Sequence, residues 1–397
     1  MTWGRAITVS IAGTDYTADT IDSVEINMGA RSPWENNVAG TCRVFLITEN
    51  PDVALGDDLV ITVDDQTTTP VTLFTGTVSV TSASIYEFGP LWTIAANGPL
   101  TRSGRREVTS TIAASEEGTQ IAALARVGLA SQWQATPGTW AAQTQTWAQF
   151  DADLTNIDTP GVYELAAIDR LPANVLRELA TSAFSGSGWL YETRDGTIGY
   201  GDSTRRENTP AAEYITIPGS VVGRGSFQPS TDEGNLANAL EISYDGGTIE
   251  ISSAVSMGIY GRWDRQYQTT LVDQDEAVAF AGRRLELESA PRTNLDAGVI
   301  IDVLNVSDNL TDQLLEIERN YGVIVESVPT YIRPSGVFRG FVEGYTWILN
   351  PTRPSLNLFV SDYSLSNFGL RWAAAGPTRW NQVGASLTWQ DATEDLS

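Results

Sequence analysis

The sequence predicts a mainly β protein with α+β insertions, in which two β regions flank an α+β unit and the second carries a small helical insert. Three observations lead there. Residues 1–100 hold six short runs of alternating apolar and polar residues, a second group of such runs fills 235–350, and helical spacing is confined to a few stretches. A chain of 397 residues has room for about two to four domains, each burying its own apolar surface.

In the first region, AITVSIAG, DSVEINMG, GTCRVFLIT, DDLVITVDD, VTLFTGTVSVTS and LWTIAANG are punctuated by Gly, Asp, Asn or Pro, which implies a small barrel or sandwich over 1–100. Cys42, Val44 and Leu46 share one strand face, so the single cysteine reads as a core residue. One cysteine also allows no internal disulfide and no multi-cysteine metal site.

The α+β unit is expected over 101–234. TSTIAASEEGTQIAALARVGLA sets Ile121, Leu124, Ala125 and Leu129 at helical spacing, and a Trp, Gln and Thr-rich stretch with Pro137, Gly138 and Pro160 follows as an excursion or loop-rich subdomain. LPANVLRELATSAF predicts a second helix with Val175, Leu176, Leu179 and Phe184 inward and Gly186 at its end. GWLYETRDGTIGYGD then predicts a hairpin turning at Asp195-Gly196.

The second β region, 235–350, opens with the hairpin ANALEISYDGGTIEISS and continues through DAGVIIDVLN, YGVIVESVP, FRGFVEGYTWILN and, running on past 350, SLNLFVSDY. A helical insert is expected over 252–293. Its helix, residues 274–289, takes Asp273 as N-cap, Asp275 and Glu276 near the positive end of the dipole, Arg283 and Arg284 nearer the negative end, and Pro291 as its stop. Val278, Ala281 and Leu285 make its apolar stripe. Tyr260, Arg262 and Trp263, directly before that helix, read as a fixed junction. The extension 351–397 sets Trp372, Trp380 and Trp389 among turn residues; it has too little apolar mass to fold alone, which implies docking on a neighbour.

Composition excludes much chemistry. With 49 acidic against 24 basic residues the formal charge is −25, so strong nucleic-acid binding, which needs clustered cations, is disfavoured. Every base is arginine, as a GC-rich genome encodes, and its planar fork suits interface ion pairs. There is no histidine, which removes the commonest general base, the His-dependent triads and the commonest zinc ligand together. No apolar run reaches the ~18 residues of a membrane span, and MTWGRAITVSIAG alternates where a signal peptide would carry an apolar block, so synthesis and retention in a cytoplasm until assembly or release is expected.

Each candidate site weakens on inspection. Asp151, Asp153 and Asp158 invite a calcium-loop reading, but Asn156 stands where the loop needs Gly and Val162 where it needs a bidentate Glu. Asp57, Asp58, Asp64 and Asp65 bracket a strand and serve as turn and strand-end residues. Ser185 in FSGSG has no histidine to activate it. No spacing singles out an acid pair for glycoside hydrolysis, and the Gly clusters match no phosphate-cradling motif. No enzyme activity, cofactor or metal is therefore expected. Trp133, Trp140, Trp147 or Trp189 could stack sugars, although core and interface packing is the commoner use of such residues.

The order of these parts resembles the tail hub proteins of long-tailed bacteriophages (baseplate hubs or minor tail proteins), an architecture also seen in contractile-tail hubs and the VgrG spike of type VI secretion. Three passages carry it. SPWENNVAGTCRVFLITEN with LGDDLVITVDD and LFTGTVSV is similar to a first tube-type barrel. SMGIYGRWDRQYQTTLVDQDEAVAFAGRRLELESAPR resembles the segment where hubs place a Tyr-Gly-Arg element and a helix before re-entering the second barrel. GVIVESVPTYIRPSGVFRGFVEGYTWILNP resembles that barrel's closing strands. The Trp-rich end is similar to endings of minor tail proteins from phages of actinobacteria. The resemblance implies two tube-type β-barrel domains per chain, a homotrimer forming a pseudo-sixfold ring, and as partners a distal tail protein ring, the tape measure protein and tip fibres or other minor tail proteins. It also implies a place at the virion tail tip and a negatively charged lumen through which DNA slides without specific binding. A hexameric distal tail protein, a carbohydrate-binding tip protein for host recognition and a cell-wall hydrolase are the alternatives; the second β region disfavours the first, and the missing histidine disfavours the last.

Overall fold

The computed structural model describes residues 3–33, 35, 39–64, 70–86, 89–129, 156–210, 213–223, 225–231, 233–291, 293–295, 298–330 and 332–363. The protein is mainly β. Its first region forms β1 (Ile7–Ile11), β2 (Thr14–Tyr16), β3 (Ile21–Gly29), β4 (Thr41–Ile47), β5 (Asp58–Val63), β6 (Val71–Tyr86) and β7 (Gly89–Asn97). All six expected runs are strands; the short β2, a turn-back of β1, carries too few residues to show a pattern. Alternation is literal, with Val9, Ile11, Val24, Ile26, Cys42, Val44, Leu59 and Ile61 all buried on the inner face.

The middle of the chain holds α1 (Pro99–Ser103), β8 (Glu107–Val108), β9 (Ser115–Glu116), α2 (Glu117–Leu129), β10 (Glu164–Leu165), β11 (Ala173–Asn174), α3 (Val175–Ser185), β12 (Trp189–Glu192) and β13 (Ile198–Gly201). The helices follow their sequence signals. Ile121, Leu124, Ala125 and Leu129 of α2 are buried together with Val175 and Leu179 of α3, forming one apolar cluster. Asn174 caps α3 by accepting from the Arg177 N–H, and Gly186 ends it. The β12–β13 hairpin turns at Gly196, whose φ of +79° suits glycine.

The remaining elements are β14 (Ile215–Ile217), β15 (Pro229–Thr231), β16 (Ala239–Tyr244), β17 (Gly247–Ser252), α4 (Ala254–Tyr260), β18 (Asp264–Gln268), α5 (Gln274–Glu288), β19 (Thr293–Leu295), β20 (Val299–Asp302), α6 (Asp308–Leu315), β21 (Gly322–Glu326), β22 (Val337–Leu349) and β23 (Ser355–Asp362). Helix α6, capped by Ser307, carries only two turns and lacks a period long enough to announce itself in the sequence.

One large sheet runs through both β regions in the order β14-β21-β22-β3-β4-β7-β6-β5-β1-β2, with β23 paired to β22 and β20 to β23. The seam is β22 against β3, antiparallel from Gly344 opposite Gly29 to Leu349 opposite Val24. Both glycines are needed there. A Cβ on Gly29, whose φ is +73°, would lie 2.4 Å from the Glu343 carbonyl oxygen, and one on Gly344 2.5 Å from the Ala30 carbonyl oxygen. A single buried cluster crosses the seam, from Ile7 of β1 to Val360 of β23.

Strands β16, β17 and β18 do not join that sheet. They form their own, ordered β17-β16-β18, and Leu240 and Ile242 pack on Phe280 and Ala281 of α5 in a third cluster. The hairpin expected to open the second barrel therefore belongs with the insert, because α5 supplies its apolar cover locally. The insert expected over 252–293 holds two helices with β18 between them. Asp273 caps α5 as expected, accepting from the Glu276 N–H at 3.0 Å. The buried stripe is Ala277, Phe280 and Ala281, with Leu285 half-buried, whereas Val278 is 46% exposed. Ala281 and Leu285 lie on the expected face, while Val278 does not; Ala277 and Phe280 take its place, Phe280 being the bulky residue that β16 covers.

Candidate assembly surface

Helix α4 is short and shows its apolar side chains to solvent. Ser253 caps it by accepting from the Ser256 N–H at 3.3 Å, and Gly261, at φ +79°, ends it. Of its residues only Ser256 is buried, donating to the Ser289 carbonyl oxygen. Val255 is 77% exposed, Ile259 67%, Tyr260 41% and Trp263 36%. Burying a side chain such as Val or Ile stabilises by about 1.5–3 kcal/mol, so covering this face is favourable.

The loop after α4 is held, not loose. Asn238, fully buried, donates to Ser256 Oγ at 3.0 Å and to the Gly261 carbonyl at 2.7 Å, and accepts from the Trp263 N–H at 2.8 Å. Trp263 Nε1 donates to the Tyr260 carbonyl at 3.0 Å, and exposed Arg262 pairs with exposed Asp264 at 2.7 Å. The structure thus brings Tyr260, Arg262 and Trp263 together on one outward face. Sequence reading missed Val255 and Ile259, although AVSMGIY, an apolar run with no acid or base, was the available signal.

Between the middle unit and the large sheet lies a buried ionic joint that sequence reading did not find. Glu343 sits at the bulge in β22, between Val342 and Gly344, which turns its carboxylate inward. Arg206 grips it with two parallel bonds, Nη1 to Oε1 at 2.6 Å and Nη2 to Oε2 at 2.9 Å. Arg319 donates to Oε2 at 3.2 Å and to the Leu190 carbonyl at 3.0 Å, and Ser361 to Oε1 at 2.6 Å. Burial pushes the Glu343 carboxyl up, but the two guanidiniums and the Ser361 hydroxyl outweigh it and hold the group at about 2. The Arg206 guanidinium also lies 4.0 Å from the centre of the Trp189 ring. The joint ties β12 of the middle unit to β22 and β23 of the large sheet. Its one sequence signal is an acid inside the apolar run GFVEGY; the partners lie 24 and 137 residues away.

Two further carboxylates pin the middle unit. Glu192 accepts from the Gly40 N–H at 2.6 Å and the Leu100 N–H at 2.5 Å, and burial pushes it up to about 8 against those bonds. Glu117 accepts from Val162 and Tyr163 N–H groups at 2.9 and 2.7 Å, and burial pushes it up to about 7.

A cleft of about 300 Å³ opens where Trp189, Phe184 and Tyr267 face Arg265, Arg283 and Arg284. Buried Glu288 accepts from Tyr267 Oη at 2.6 Å and pairs with Arg265 at 3.3 Å and Arg284 at 3.5 Å.

The other candidates are placed as follows. Cys42 is buried, and burial pushes its thiol up. Ser185 is buried, its Oγ accepting from the Thr270 N–H at 3.0 Å. Asp158 pairs with Arg205 at 3.4 Å, while Asp151 and Asp153 lie outside the described residues. Among the described residues no three His, Cys, Asp or Glu side chains cluster in a way that would hold a metal. Trp133, Trp140, Trp147, Trp372, Trp380 and Trp389 lie outside the described residues.

No family model and no characterised sequence relative matches this chain. Two tail proteins are among the solved structures whose folds it resembles. The tail protein from Neisseria meningitidis MC58 superposes over 92% of this chain and 100% of its own, with a TM-score of 0.59 at 13% identity. The 43 kDa tail protein of prophage MuSo2 from Shewanella oneidensis covers 91% of this chain and 99% of its own, with a TM-score of 0.56 at 12% identity.

Proposed function

We propose that this chain is the structural hub of a bacteriophage tail tip, a non-catalytic homotrimer whose two β regions per copy make a pseudo-sixfold ring joining tail tube to tip. The observation that carries the reading is the fold shared with tail proteins over nine-tenths of the chain. On this reading residues 1–100 supply one tube-type barrel and 235–350 the other, less the hairpin 239–252, which goes with the insert 252–293, and with β23 added; 101–234 is the α+β domain and the rest of 351–397 a docking extension. The partners are the distal tail protein ring, the tape measure protein and tip fibres. Assembly takes place in the host cytoplasm, the ring resides at the virion tail tip, and a charge of −25 lets DNA slide through without sticking.

The α4 face, with Tyr260, Arg262 and Trp263, is the contact between copies. Exposed Val255 and Ile259 flank these residues, and a rigid loop presents them. Mass photometry and negative-stain microscopy test this: the parent protein gives threefold particles, and Val255→Asp/Ile259→Asp gives monomers with an unchanged circular dichroism spectrum. A parent that stays monomeric at high concentration and in virions sinks the trimer. A double variant that still forms trimers moves the contact elsewhere.

A further inference from the structure

The large sheet has one long edge that nothing covers among the described residues. Strand β6 pairs with β5 only as far as Thr77. The loop before β5 extends that cover by one residue, the Gly56 N–H donating to the Val78 carbonyl at 2.9 Å and the Val78 N–H to that of Asp57 at 2.8 Å. A bulge between Val78 and Val80 follows, and from Val80 to Tyr86 the strand pairs with β7 alone. The ladder fixes which backbone groups face outward. Pro90 gives its carbonyl to the Thr48 N–H on the β4 side, so Ile85, its partner across β6–β7, turns its own N–H and carbonyl away from β7. Alternation repeats this at Ala83 and Thr81.

Native sheets blunt such edges with a charge, a proline or a bulge, and beyond Val80 this one has none of them. All sixteen residues of β6 are uncharged, in a chain where 18% of residues carry charge and the net charge is −25. Other edges are short or marked: β2 is three residues long and holds Asp15, β17 holds Glu250, and β18 holds Asp264 and Arg265. Apolar side chains stand beside the open edge, with Ile85 99%, Leu55 68% and Val80 53% exposed. We infer that residues 80–86 of β6 take up an extended strand of a second copy of this chain, whose main chain bonds to the N–H and carbonyl groups of Thr81, Ala83 and Ile85. A second copy is the occupant because copies of net charge −25 repel, and β6 is the long edge that one can approach without facing an acid. The chain already joins its own two β regions in this way, β22 adding to β3 at the far side of the layer β3-β4-β7-β6. This pairing rests on the reading of the protein as an assembly of copies, and gives the contact a main-chain part besides the α4 face.

Residue-resolved amide hydrogen exchange of the full chain tests it, comparing the assembled protein with its monomer, obtained by dilution or as Val255→Asp/Ile259→Asp. The amides of Thr81, Ala83 and Ile85 are expected to exchange at least about tenfold more slowly in the assembly, while those of Ser82 and Ser84, bonded to β7, are slow in both. Protection of alternate residues is the signature of an added strand. Ala83→Pro removes one outward N–H and leaves the β6–β7 ladder whole, so it is expected to raise the half-dissociation concentration at least about tenfold in mass photometry, with an unchanged circular dichroism spectrum. Ala83→Lys, at an exposed position, keeps the N–H and sets a charge on the edge, and is expected to raise it severalfold. An assembly in which the three amides exchange as they do in the monomer, or both variants assembling at the parent's concentration, overturns the pairing and leaves the assembly of copies standing. A parent that is monomeric at every concentration overturns both.

Discussion

Replacing Glu343 by glutamine removes one charge from a site where two guanidiniums converge out of reach of water. Arg206 and Glu343 are both fully buried and Arg319 is 6% exposed. In the Glu343→Gln protein the amide nitrogen faces an arginine nitrogen, and neither cation has a counter-charge. Breaking one partner of a buried pair costs about 3–5 kcal/mol. The carboxyl held at about 2 supports the same size, since its distance from the ordinary ~4.3 is worth about 3 kcal/mol. Against a typical stability of about 5–15 kcal/mol the loss is large. Urea denaturation at pH 7, followed by tryptophan fluorescence, measures it. The sign with pH follows from the depressed value: the contribution is complete above ~4.3 and is lost as pH falls toward 2, so the parent loses stability across that window and Glu343→Gln does not. A glutamine variant within about 1 kcal/mol of the parent at pH 7 would refute the reasoning. A matched Arg206→Met/Glu343→Leu/Arg319→Met protein should be far less damaged than Glu343→Gln, because it leaves no charge stranded.

Three other outcomes are expected. Glu192 and Glu117 are raised by burial to about 8 and 7, so the stability they lend is present below ~4.3 and lost as pH rises through those values; urea midpoints should fall between pH 5 and 9, less steeply in Glu117→Gln. Asn238→Ala removes three hydrogen bonds that pin the loop after α4, worth about 1 kcal/mol each, and should raise amide hydrogen exchange over residues 258–264 while β1–β7 stay protected. Gly261→Ala meets no atom within 4 Å, so its cost, about 1–3 kcal/mol, is backbone strain at φ +79° and ψ −179°, a region essentially confined to glycine; Gly261→Asn should cost as much, and urea denaturation midpoints measure both.

Local rules carried far in this chain. Period-two alternation is fixed by the pleat, so all six runs of the first region became strands, and Asp273, Gly186 and the Asp195-Gly196 turn acted where their chemistry placed them. Composition alone removed histidine-based catalysis. What alternation cannot say is which strand lies beside which. Strand β22 pairs with β3 across more than three hundred residues, and β16 leaves the large sheet for α5, because those choices depend on which apolar faces meet in three dimensions. The same holds for the sites. Tyr260, Arg262 and Trp263 were legible as a cluster because they are neighbours in sequence, whereas Arg206, Arg319 and Glu343 became a joint only when a β-bulge turned one carboxylate toward two distant guanidiniums. Sequence determined the elements through short-range backbone and side-chain preferences; tertiary structure decided the seam, the joint and the exposed α4 face, since burial and charge pairing are properties of contacts between segments.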